Sequence, residues 1–148
     1  MQLQRSHYAL ELAKSIGSNV LFPINLVYQK PILKVNMESI VWLNKNLNKY
    51  QKQAVFQILK SEARPTPYVI FGPPGTGKTV TIIESILQIY TLDTKSRIIV
   101  CSVSNNSADL IAHKLFASGQ ILKNDLVRFI AHSRGTAIPL DLESNLMD

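Results

Sequence analysis

Three glycines, a lysine and two hydroxyls stand together in Gly72-Pro73-Pro74-Gly75-Thr76-Gly77-Lys78-Thr79, which fits G-x-x-x-x-G-K-[ST] at every position. Main-chain N–H groups can wrap a phosphate only where no Cβ intervenes and where the backbone can turn through positive φ, and Gly75 and Gly77 supply both freedoms. Lys78 carries an ammonium suited to β- and γ-phosphates. Thr79 offers a hydroxyl ligand to Mg²⁺, so these two are the candidate catalytic pair and Thr79 the candidate metal ligand. A helix starting behind the loop would add its positive N-terminal end. Residues 72–79 are thus candidates to hold a nucleoside triphosphate with magnesium, and the reaction that follows stays open.

Such a loop needs a strand to deliver it and a helix to follow it. Tyr68-Val69-Ile70-Phe71 is a continuous apolar run of strand length, as expected of a parallel strand buried on both faces. Thr79 to Tyr90 has helical periodicity, with Val80, Ile83, Ile86, Leu87 and Tyr90 inward, and a polar turn follows at Leu92 to Ser96. Arg97 to Ser102 predicts a second buried strand. Asn105 to Ala117 predicts a helix with Leu110, Ile111, Leu115 and Phe116 toward the core, closed by Gly119, and Leu126 to Ile130 a third strand. This alternation implies right-handed crossovers and an α/β fold: a P-loop NTPase parallel sheet flanked by helices.

Upstream, Asn48 to Glu62 predicts a helix capped by Asn48, with Gln51, Ala54, Val55, Ile58 and Leu59 on one face and Pro65 and Pro67 beyond its end. Ser6 to Ser15 predicts a short amphipathic helix whose face is Tyr8, Ala9, Leu12, Ala13 and Ile16, stopped by Gly17. From Gly17 to Asn46 the pattern breaks into a linker with one or two short strands, at Leu26 to Tyr28 and Ile40 to Leu43. The expected division is 1–46, a helix and linker, and 47–148, the lobe that carries the loop.

A chain of 148 residues, 46% apolar and 18% charged, can bury one domain's core but not two full motor domains. Its net charge of +6 favours a polyanionic partner, although no run of five basic residues concentrates it. Cys101 is the single cysteine, which excludes an intramolecular disulfide and a multi-cysteine zinc site; it is expected in the core. His7, His113 and His132 have no partners at metal-ligand spacing. No apolar run is long enough for a membrane span and no secretory signal is readable, so a cytoplasmic protein without membrane contact is expected.

The loop's wording is typical of the Upf-type superfamily 1 helicases, and two flanking segments strengthen the resemblance. Leu47-Asn48-Lys49-Tyr50-Gln51 is similar to that family's L-N-x-x-Q motif, whose glutamine reads the adenine edge. Val100-Cys101-Ser102-Val103-Ser104-Asn105-Asn106-Ser107-Ala108-Asp109 resembles the family's V-C-A-P-S-N-x-A-x-D segment, with Val103 where proline is usual. Val127-Arg128-Phe129-Ile130 resembles its V-R-hydrophobic stretch, and the Leu21-Phe22-Pro23 and Pro67 to Phe71 pieces suggest the Armitage-like branch, kin of the Moloney leukaemia virus ten helicase.

The resemblance implies a partial RecA-like lobe that binds ATP and Mg²⁺, with Gln51 at the base and Ser104 and Asn105 on the backbone of single-stranded RNA. It also implies an RNA helicase of the silencing or turnover type. From the residues alone, Gln51 is either that reader or a polar residue on a first helical turn, with Gln53 as fallback. Trp42 and Tyr50 either stack on bases or pack in the core, with packing favoured, and Lys114 and Arg128 either touch phosphates or face solvent.

A helicase motor also needs an acidic residue at a strand end for Mg²⁺ and a second RecA-like domain that brings an arginine to the γ-phosphate. After Thr79, neither Asp93, Asp109, Asp125 nor Asp141 sits in such a setting. The expectation is therefore the front part of a motor, able to hold nucleotide but not to hydrolyse it usefully alone. A non-hydrolysing nucleotide- or RNA-binding module is the alternative; a small nucleotide kinase is disfavoured because Arg97, Arg128 and Arg134 are too few and too dispersed for an arginine-rich lid.

Overall fold

The computed structural model describes residues 2–25 and 27–129 and the backbone of 146–147. Its centre is three helices: α3 (Lys49–Lys60), α4 (Lys78–Leu92) and α5 (Asn105–Ala117), with α4 packed between the other two. α3 starts in a full capping box. The Asn48 side chain accepts the Gln51 N–H, and the Gln51 side chain accepts the Asn48 N–H, so two donors that the first turn leaves orphaned are satisfied. The helix ends at Ser61, in the left-handed region at φ 48°, before the prolines are reached.

Two apolar clusters hold the layer together. Val55 and Leu59 of α3, both essentially fully buried, meet Ile40, with Leu33, Val35, Trp42, Phe56 and Ile89 around them. Burying each of these two aliphatic side chains contributes roughly 1.5–3 kcal/mol. On the other face of α4, Ile86 and Leu87 pack against Leu115 of α5. The 33–47 stretch is consequently a strap bound across α3 and α4, more than a connection. Where strands are expected between Gly17 and Asn46, the described residues 27–28 and 40–43 are in neither helix nor strand, and this stretch holds a one-turn helix α2 (Ser18–Leu21) and a 3-10 turn at Met37–Ser39.

α1 (Gln2–Ile16) forms where periodicity expects it and stops at Gly17, φ +89°. Its apolar face does not join the core, since Tyr8, Leu12 and Ile16 all remain exposed.

The parallel sheet is the part of the expected architecture that is not formed among the described residues. Among the described residues the one ladder is short, β1 (Arg128–Phe129) beside β2 (Leu146–Met147), parallel, with Arg128 opposite Leu146. Residues 67–73 and 96–102 are in neither helix nor strand. Phe71 is 94% exposed and Ile99 89% exposed. A helix satisfies its own main chain and needs only one covered stripe, whereas an interior strand of a parallel sheet needs paired neighbours and cover on both faces. Cys101 is accordingly exposed, correcting its expected place in the core. Leu110, expected inward on α5, is 48% exposed, and Ala112 takes the buried position instead. Ile130 of the third expected strand, together with His132, Arg134 and Asp141, lies outside the described residues.

Candidate nucleotide-binding site

The loop leaves Phe71 at Gly72 and enters α4 at Lys78. Gly75 and Gly77 take φ +80° and +82°, the left-handed turns the sequence requires of them. Thr76 draws the loop shut on itself: its hydroxyl donates to the Pro73 carbonyl at 2.8 Å, and a Cβ at Gly72 would stand 2.7 Å from that hydroxyl oxygen. Pro73 and Pro74 form the exposed crest of the turn.

No side chain caps α4. Its N-cap is Gly77, and the first internal bond runs from the Thr81 N–H to the Gly77 carbonyl at 3.0 Å. The N–H groups of Lys78, Thr79 and Val80 therefore have no helical acceptor, and they open where the loop turns in. This cradle fits a phosphate: unclaimed N–H donors, no Cβ in the way and the positive end of a four-turn helix behind them. The Lys78 ammonium donates to the loop's own carbonyls, Gly72 at 2.6 Å and Pro73 at 2.7 Å. Thr79 is half-buried beside it.

Gln51 reaches the loop from α3. Its Nε2 donates to the Thr76 carbonyl at 3.2 Å, and a Cβ on Gly77 would come within 2.4 Å of that nitrogen. Sequence spacing alone joins Gln51 to the loop only by resemblance; the fold makes the contact. Gln53, the fallback, is exposed. The neighbouring Tyr50 is 85% exposed, which corrects its reading as a core residue, while Trp42 does pack against the α3 cluster, with the Lys52 ammonium 5.5 Å from its ring centre.

Ser104 and Asn105 stand apart from the loop, at the start of α5. The Ser104 hydroxyl caps the helix by accepting the Ser107 N–H at 3.2 Å, and Asn105 accepts twice from the Arg128 guanidinium at 3.4 Å. Arg128 Nε donates to Asp109 Oδ1 at 3.0 Å in a largely buried ion pair. Its guanidinium is thus engaged with α5, correcting the reading of Arg128 as solvent-facing; Lys114 is exposed.

Other acidic groups after the loop are committed too. Tyr90 donates to Asp125 at 2.6 Å, and this hydrogen bond pushes the Tyr90 hydroxyl above its ordinary pKa. Asp93 accepts from Ser96 at 2.6 Å, which holds the carboxyl below its ordinary range. Glu84, for which periodicity has no role, is buried in α4 and binds the strap. A cavity of about 510 Å³ opens between residues 43–46, α4 and α5, with Val80, Ile83, Glu84 and Lys114 in its wall; none of residues 72–79 lines it. Among the described residues no cluster of His, Cys, Asp and Glu could hold a metal, and no helix is long and apolar enough to cross a membrane.

A left-handed glycine loop running into an uncapped helix that begins Lys-Thr defines a P-loop nucleotide-binding domain. Residues 46–145 match the family model described as AAA domain, and the chain belongs to that family, in its Upf-type superfamily 1 helicase form. It is similar to the probable RNA helicase armi of Drosophila melanogaster, 37% identical over 142 residues, 88% of this chain and 12% of that protein. RNA helicase Mov10l1 of Homo sapiens is 47% identical over 100 residues, 68% of this chain and 8% of that protein. DNA polymerase alpha-associated DNA helicase A of Saccharomyces cerevisiae is 38% identical over 91 residues, 62% of this chain and 12% of that protein. The chain therefore spans an eighth or less of the length of these relatives. No solved structure matches it.

Proposed function

We propose that this chain is the ATP-binding portion of an ATP-dependent RNA helicase motor of the silencing or turnover type, working in the cytoplasm. The observation that carries the reading is the uncapped start of α4 behind the Gly75 and Gly77 turns, with Lys78 on one side and Gln51 on the other. Gly72 to Thr79 hold the phosphates, Lys78 turns its ammonium from the loop carbonyls to the γ-phosphate, Thr79 ligates Mg²⁺ and Gln51 reads the adenine edge. Bound magnesium would supply charge neutralisation at the β- and γ-phosphates. In this reading 47–148 is a partial RecA-like lobe, 1–46 precedes it, and Ser104 and Asn105 face single-stranded RNA. RNA is favoured over DNA because relatives named RNA helicases reach 88% coverage of this chain and 53% identity, against 76% and 38% for those named DNA helicases.

The portion binds nucleotide without turning it over by itself. Supporting this, Glu84, Asp93, Asp109 and Asp125 are each engaged away from Thr79. The test is calorimetric titration of ATP with Mg²⁺ into the chain and into Lys78→Ala, with RNA-stimulated phosphate release followed in parallel. Binding lost in Lys78→Ala, with no turnover in either protein, supports the reading. Robust turnover by the wild-type chain would assign an acidic residue to Mg²⁺ after all, and absent binding would overturn the site.

A further inference from the structure

We propose that Glu84 is a positioning residue for base recognition: acting through the 43–48 segment, it holds Gln51 at the nucleotide loop without touching nucleotide itself. The proposal rests on the reading of Gln51 as the base reader.

Glu84 lies six residues into α4 beyond Lys78, so the rigid helix that carries the loop also carries this carboxylate, about 9 Å further along its axis. Only 2% of it is exposed. A buried carboxylate is costly unless every oxygen has donors. Here Oε1 accepts the Leu43 N–H at 3.0 Å and Oε2 the Asn44 N–H at 3.0 Å. Gln88, one turn on, donates through Nε2 to Oε1 at 2.9 Å and to the Val41 carbonyl at 2.8 Å. Two consecutive main-chain donors held by the two oxygens of one side chain fix the direction of the strap as well as its place.

From that anchor the chain has little freedom before Gln51. Asn44 folds the next turn by accepting the Asn46 N–H at 2.9 Å, Leu47 is buried, and Asn48 enters the capping box with Gln51. Gln51 then returns to the loop at Thr76. The circuit closes on one rigid unit: loop and α4 hold Glu84, Glu84 holds the strap, the strap sets the cap of α3, and the cap sets Gln51 beside the loop. A position needed only to fill the core would be served by an apolar side chain; this one is matched instead to the main-chain donors that lead into the base reader.

The test compares affinities of the full chain for Mg²⁺ complexes of ATP, GTP and inorganic tripolyphosphate, in wild type, Gln51→Ala, Glu84→Gln and Gln88→Met. Glu84→Gln turns an amide donor toward one of the two N–H groups and should release it. Its ATP-over-GTP preference is expected to fall about five-fold or more, toward that of Gln51→Ala, while tripolyphosphate affinity stays within about two-fold. Gln88→Met should shift the preference in the same direction by less. If it does not, or if Glu84→Gln weakens all three ligands alike, Glu84 is a structural residue only and the proposal is overturned. A preference abolished in Gln51→Ala but intact in both other variants would also overturn it while leaving the base reader standing. A preference unaffected by Gln51→Ala, or absent in wild type, would sink the reader itself.

Discussion

Gln51 and Gly77 occupy space that only one of them can fill: the Gln51 amide nitrogen stands 2.4 Å from where a Cβ on residue 77 would lie, and from there it donates to the adjoining Thr76 carbonyl. The glycine is therefore required by its φ of +82°, and a methyl there would also displace the amide end of a side chain from another helix.

Gly77→Ala is accordingly expected to lose more than the left-handed penalty of about 1–2 kcal/mol that a lone β-carbon incurs. The added methyl displaces the Gln51 amide and breaks its hydrogen bond to Thr76. A drop in urea midpoint together with lost ATP binding by calorimetry is the expected result, whereas a Gly75→Ala chain, where no atom lies within 4 Å of the new methyl, should lose only the backbone part.

The Asp109–Arg128 pair should couple α5 to the segment after it. Arg128→Ala removes the charge partner of a largely buried carboxylate, and Asp109→Ala removes that of the guanidinium, so each single variant should lose about 1–3 kcal/mol. The double variant should lose less than the sum, measured as a thermodynamic cycle from denaturant midpoints. Additive losses would mean that the two groups do not depend on each other.

Tyr90 makes the stability of the α4 end depend on pH at the alkaline side. Its hydrogen bond to Asp125 favours the protonated phenol and raises its pKa above the ordinary 10.0. A pKa raised by folding marks stability that is complete below the unfolded value and is lost as pH climbs through the folded one. Tyr90→Phe should thus unfold at lower urea than wild type at neutral pH, and the two curves should converge above the wild-type pKa. A gap that stays constant across that range would argue against the hydrogen bond.

Helices were readable from sequence because their determinants are local. Asn48 with Gln51 three residues on is a capping box, and α5 runs over Asn105–Ala117 as its periodicity and Gly119 require. Strands are not local in this way: Tyr68 to Phe71 has the right composition, yet pairing depends on partners at its edges. Tyr50 and Trp42 are equally apolar in sequence, and only the path of the strap decides that the tryptophan is covered and the tyrosine bare. Glu84 escaped for a related reason. It sits beside the apolar stripe of α4, and its value is visible only once the Leu43 and Asn44 N–H groups arrive from forty residues earlier.

With its ammonium seated on the Gly72 and Pro73 carbonyls, Lys78 gives the loop an internal competitor. In the proposed reading, phosphate would exchange at this ammonium with two acceptors already tethered a few bonds away. The affinity expected in a titration is then, at this nitrogen, the difference between two sets of contacts. A change that weakens the carbonyl seat without altering the phosphate cradle would tighten binding, although it adds no contact to the ligand.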